Sequence, residues 1–124
     1  MVRCKRSIPP MARALQTVIE TAEFLARSSK LMSDEQRAQI VEMLARDPEC
    51  GEIMQGTGGV RKVRVALAGR GKSGGARVIY YFHSDRLPVF ALTVFAKNEM
   101  ANLTPAQQNA MAAVVKAIKQ KLEK

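Results

Sequence analysis

The chain has 124 residues, close to the size of one domain, and its 47% hydrophobic content suffices to bury a core without metals or disulfides. Two distant cysteines, Cys4 and Cys50, and a single histidine, His83, suggest neither a disulfide framework nor a zinc site, and charges break every apolar run well short of the roughly 18 to 20 residues of a membrane span. The net charge is +9, falling to +6 when Arg3, Lys5 and Arg6 are set aside, so a polyanion is a plausible partner and the distribution of the charge has to decide.

Residues 1–10 begin basic, but Ile8, Pro9 and Pro10 do not form the apolar stretch of a secretory signal. They are read as a disordered leader or a start-site artefact ahead of Met11, with residues 11–124 forming one cytoplasmic domain that has no membrane contact and keeps its thiols reduced. Residues 15–20 (LQTVIE) have strand character. Thr21 is placed to cap a helix running from Ala22 to about Met32, with Phe24, Leu25, Ser28, Leu31 and Met32 as its core-facing stripe. Ser33 and Gln36 read as a capping box around Asp34 and Glu35, which suit the positive end of a second helix; Asp47 before Pro48 ends it.

A glycine-rich turn at 55–59 leads into a strand at 60–67, where Lys62 and Arg64 share one face while Val63 and Val65 share the other. After a loop bearing Arg70 and Lys72 comes a strand at 76–83, with Arg77, Ile79 and Tyr81 on one face and Val78, Tyr80 and Phe82 on the other. A nearly continuous apolar run at 88–96 reads as a central strand. Thr104, Pro105 and Gln107 mark the start of a last helix, striped by Met111, Val115, Ile118 and Leu122. The order is β-α-α-β-β-β-α, an α+β fold with a small antiparallel sheet and helices packed on one face, leaving the other free to bind.

Between Gly56 and Arg77 stand six cations, Arg61, Lys62, Arg64, Arg70, Lys72 and Arg77, and no acidic residue. A solvated face usually carries both signs. If the two strand faces coincide, they form a cationic plate beside Tyr81, suited to holding RNA phosphates while an aromatic ring stacks a base. Residues 66–73 (ALAGRGKS) approach a P-loop, but a β-branched and aromatic run follows where a P-loop requires a helix N-terminus, so an ATPase is rejected. With one histidine, a paired-histidine nuclease mechanism is excluded. Phe95 is open to two readings, an exposed stacking ring or a core residue.

The stretches GTGGVRKVR at 56–64, GRGKSGGARVIYY at 69–81 and VFAKNE at 94–99, with IETAEF at 19–24 and LTP at 103–105, resemble the HigB branch of the RelE/ParE toxin superfamily. The resemblance spans roughly residues 15–122. It implies a RelE-like fold and the toxin of a type II toxin–antitoxin system, a ribosome-dependent mRNA endoribonuclease (mRNA interferase, a hydrolase in broad class) that inhibits translation without metal or cofactor. The implied partners are mRNA, the 70S ribosome and a helix-turn-helix, HigA-like antitoxin, with operator DNA reached only through that antitoxin.

Position by position, the RelE pattern falls on Lys62, Arg64 and Arg77. Asn98 stands where RelE itself carries an arginine, with Lys97 beside it as the nearest substitute, and the tyrosine of RelE's short tail has no counterpart, which leaves Tyr81 to supply part of the stacking. The implied reaction is attack of an RNA 2′-hydroxyl on the adjacent phosphate. Lys62 is the hypothesised base, favoured in that role by crowding from Arg61 and Arg64. Arg64 and Arg77 stabilise the phosphate charge and Lys97 assists the leaving oxygen, while Arg61, Arg70, Lys72, Tyr81 and Asn98 contact RNA. Two alternatives stay open, a ParE-like gyrase poison without nuclease activity and a non-catalytic RNA-binding module.

Overall fold

A computed structural model describes residues 15–67, 75–84, 86–96 and 104–122. Along these run β1 (Val18–Glu20), α1 (Ala22–Leu31), α2 (Asp34–Arg46), β2 (Glu52–Ile53), β3 (Val60–Ala66), β4 (Gly75–Tyr81), β5 (Val89–Ala96) and α3 (Pro105–Leu122). The proposed leader lies outside the described residues, as do Arg70, Lys72, Lys97 and Asn98. The α+β class and the order of the expected elements hold. The one addition is β2, whose two residues are too few to show a period-two pattern.

The caps form as the residue types require. Thr21 Oγ1 accepts the Phe24 amide at 3.2 Å, and the same hydroxyl donates to the Leu92 carbonyl at 2.9 Å, so one side chain starts α1 and ties it to β5. Ser33 and Gln36 satisfy each other's amides reciprocally at 3.1 and 2.9 Å. Thr104 and Gln107 repeat that arrangement at the start of α3. Along α2 cations meet acidic side chains: Arg46 pairs with Glu42 at 2.9 Å and Arg37 with Glu20 of β1 at 3.4 Å.

The five strands lie in the order β1-β5-β4-β3-β2. Strands β2 to β5 pair antiparallel, as short connections dictate, but β1 pairs parallel to β5, which makes the sheet mixed rather than wholly antiparallel. The cause is the connection. Helices α1 and α2 carry the chain from one sheet edge to the other, so no hairpin fixes the direction of β1.

A second departure concerns the helices. Phe24 of α1 and Ile40, Met43 and Leu44 of α2 pack on one face, against Val63, Val65, Val78 and Tyr80. On the opposite face α3 sets Val115 against Val60, Ile79, Tyr81 and Leu92, with Met111 and Ile118 alongside. Helices therefore cover both faces. Those four sheet residues make half of that face apolar, and the stripe of α3 removes the half from water. A register shift at Ile79/Tyr80 pairs Ile79 with Thr93 and Tyr80 with Ala91, which leaves Leu92 as an extra residue that joins the cluster under α3. Among the described residues no helix is long and apolar enough to cross a membrane.

Candidate nucleic-acid interface

The part of the face beyond α3 is built by register. Arg64 pairs with Arg77 across β3 and β4, and Arg77 pairs with Phe95 across β4 and β5, so the three side chains stand in one row. Residues directly opposite in a ladder project to the same side. The adjacent row reads Glu52, Lys62, Ile79 and Thr93. Lys62, Arg64 and Arg77 thus share one surface, as the period-two alternation of each strand requires. Their surroundings differ: Arg64 is exposed, Lys62 half-buried, and Arg77 only 8% exposed at the centre of the row.

The hairpin between β2 and β3 sets the position of Lys62. Thr57, fully buried, donates from Oγ1 to the Met54 carbonyl at 2.6 Å and accepts the Val60 amide at 3.1 Å. Gly58 and Gly59 take φ of +79° and +115°, a backbone that side chains rarely adopt, and so complete the turn. At the other end of β2, Gly51 lies so close to β3 that a Cβ would fall 2.8 Å from the Lys62 carbonyl. Its amide donates to the Tyr80 hydroxyl at 2.8 Å. A depression lined by Cys50, Glu52, Lys62, Val63 and Arg64 opens beside this hairpin.

Two expected RNA contacts are placed elsewhere. Arg61 pairs with Tyr80 on the opposite face, where its guanidinium donates to the carbonyls of Gly51 at 2.8 Å and Glu49 at 3.3 Å. It fastens the start of β2 rather than joining the cationic row. Tyr81 does lie on the same face as Arg77, but it is 2% exposed within the cluster under α3, and its hydroxyl meets His83 Nδ1 at 3.1 Å. Its ring is core, not a stacking platform. Tyr80 is buried in the other core as expected, and the segment after the P-loop-like residues is the strand β4.

The crowding invoked for Lys62 also changes. Arg61 turns away, and the residue opposite Lys62 on β2 is the acid Glu52, which leaves Arg64 as the cation beside it on the strand face. A role for Lys62 in proton transfer therefore rests on its position rather than on two flanking charges.

Sequence reasoning misses one residue on this surface. Arg27 of α1 donates from Nε to the Val94 carbonyl at 2.7 Å and holds its guanidinium 4.6 Å from the centre of the Phe95 ring. Helical periodicity places Arg27 off the apolar stripe of α1, and sequence gives no sign that the strand edge it meets is open. Phe95 resolves to something between its two readings, a half-buried ring at the end of the cationic row with a cation over it.

The structure is thus a mixed five-stranded sheet with helices on both faces, one of which carries a half-face of aligned cations. The family model described as the RelE toxin of the RelE / RelB toxin-antitoxin system matches residues 18–124. The chain belongs to the RelE toxin family: it is the toxin type of a toxin–antitoxin pair.

Proposed function

We propose that this toxin is an endoribonuclease of the HigB branch that cleaves mRNA on the ribosome, in the bacterial cytoplasm, and is held in check by a helix-turn-helix antitoxin of HigA type, through which alone it reaches operator DNA. The observation that carries the reading is the convergence of Lys62, Arg64 and Arg77 on one surface of two adjacent strands. Arg64 and Arg77 stand about 5 Å apart across the two strands and Lys62 roughly 7 Å along β3 from Arg64, a cluster on the scale of a single phosphodiester.

In the reaction the 2′-hydroxyl oxygen forms a bond to the neighbouring phosphorus while the bond to the 5′-oxygen breaks, leaving a cyclic phosphate and a free 5′-hydroxyl. Lys62 accepts the 2′-hydroxyl proton when its side chain is the neutral amine, becoming an ammonium; Arg64 and Arg77 hold the phosphate oxygens as charge accumulates, and the Lys97 ammonium gives a proton to the leaving oxygen. The step is balanced without a metal. Asn98, Arg70 and Lys72 remain RNA contacts in this proposal.

Brief induction followed by mapping of messenger 5′ ends tests it. Cuts within translated frames, abolished together with growth arrest by Arg77→Ala, are expected. A DNA-damage response without cuts would instead establish gyrase poisoning and overturn the ribonuclease reading. RNA binding without either would establish a non-catalytic module.

A further inference from the structure

We propose that Arg27 is a further RNA-binding residue, which engages the phosphate next to the one held by Arg64 and Arg77, and that Phe95 positions it. This rests on the ribonuclease reading of the same surface. Strand β1 ends its pairing at Ala91, so the outer edge of β5 from Leu92 onward is met by side chains of α1's start and first turns. Thr21 meets the Leu92 carbonyl and Arg27 the Val94 carbonyl.

A hydroxyl suffices for the first of these bonds. A guanidinium at the second brings a permanent charge on a planar group, and its Nε donates to the strand edge. The ring of Phe95 fixes that group at 4.6 Å, and Phe95 itself stands opposite Arg77 in the ladder. The row Arg64, Arg77, Phe95 therefore continues into Arg27, a cation from a different element delivered to the same surface. From β3 to β5 it spans roughly 10 Å, more than one phosphate occupies, so its outer cation addresses a neighbouring nucleotide. Continuity with Arg64 and Arg77 favours a nucleic-acid strand over an acidic peptide.

The test is fluorescence-anisotropy binding of a short single-stranded RNA with 2′-O-methyl riboses, which blocks cleavage, across a salt series. Removing a cation that neutralises one phosphate lowers the slope of log affinity against log salt by about 0.7. Arg27→Gln is expected to lower it by that amount, and Arg27→Lys to retain it, although both lose the geometry over Phe95 and melt earlier to a similar extent. A residue that only fastened α1 to β5 would leave the slope unchanged in both. An unchanged slope in folded Arg27→Gln, beside a lowered slope in Arg64→Gln, overturns this inference alone. Absence of RNA binding by the wild-type chain also overturns this inference, while the mapping of messenger 5′ ends decides the ribonuclease reading separately.

Discussion

Arg64 and Arg77 stand directly opposite each other across β3 and β4, two permanent cations at one rung of the ladder. Like charges in that relation weaken strand pairing, and Arg77 is nearly buried besides. The opposition is understandable where a polyanion completes the site, with stability given up for function. Arg64→Thr relieves it and adds a β-branched side chain on the same strand face. The expected outcome is a protein up to about 1 kcal/mol more stable in urea unfolding, but one that no longer arrests growth. A variant both less stable and fully toxic would contradict the role assigned to this pair.

Thr57 offers a stability counterpart outside the charged surface. Its hydroxyl closes the β2–β3 turn by bonding Met54 and Val60 from a fully buried position. Thr57→Val keeps the shape and strands the Val60 amide, a loss of about 1–3 kcal/mol. Equilibrium unfolding checks the magnitude. Growth arrest by this variant should persist at low temperature and fade on warming, since Lys62 and Arg64 remain in place while the turn beneath them is weakened.

Much of this is legible in the sequence, for identifiable reasons. The alternation of Lys62 and Arg64 with Val63 and Val65 places the cations on one face, and three helix starts follow from Thr21, Ser33 and Thr104. The misreadings concern how elements meet. Val60, Ile79 and Tyr81 alternate in register with the cations, which already marks that face as half apolar; assigning all helices to the other side conceals the place of α3 and makes Tyr81 look accessible. Arg61 counts as a site cation when charge is tallied along the chain, whereas strand geometry turns it to the back. Arg27 is beyond the reach of sequence, because its place depends on β1 stopping at Ala91 and leaving a strand edge open more than sixty residues away.

Glu52 provides a third prediction. It is exposed, pairs with Lys62 in register and lines the depression beside it, so it places a negative charge at the margin of the surface proposed to receive phosphates. Glu52→Gln is expected to tighten binding of the uncleavable RNA by up to roughly fivefold at low salt, the range of an exposed charge interaction. The gain should shrink as salt rises, because screening removes it. Weaker RNA binding in this variant would show that the carboxylate organises the site rather than repelling its ligand.

Tyr80 supplies the pH dependence. Its phenol is held protonated far above its ordinary range, chiefly because burial penalises the phenolate and secondarily because Cys50 lies beside it; the Gly51 amide and Arg61 act in the opposite sense and are outweighed. In the unfolded chain the same group ionises near pH 10. Above that pH the unfolded state releases a proton that the native state keeps, so stability is intact below about pH 10 and falls as pH rises further. Tyr80→Phe removes the hydroxyl that accepts the Gly51 amide at 2.8 Å, which costs about 1–3 kcal/mol at neutral pH by leaving a buried donor without its acceptor. It also removes the titration. The stability gap between wild type and Tyr80→Phe should therefore be widest at neutral pH and narrow steadily in urea unfolding series carried above pH 10. A gap that stays constant through that range would show that the Tyr80 phenol ionises as readily in the fold as in the open chain, contrary to its burial between Gly51 and the core.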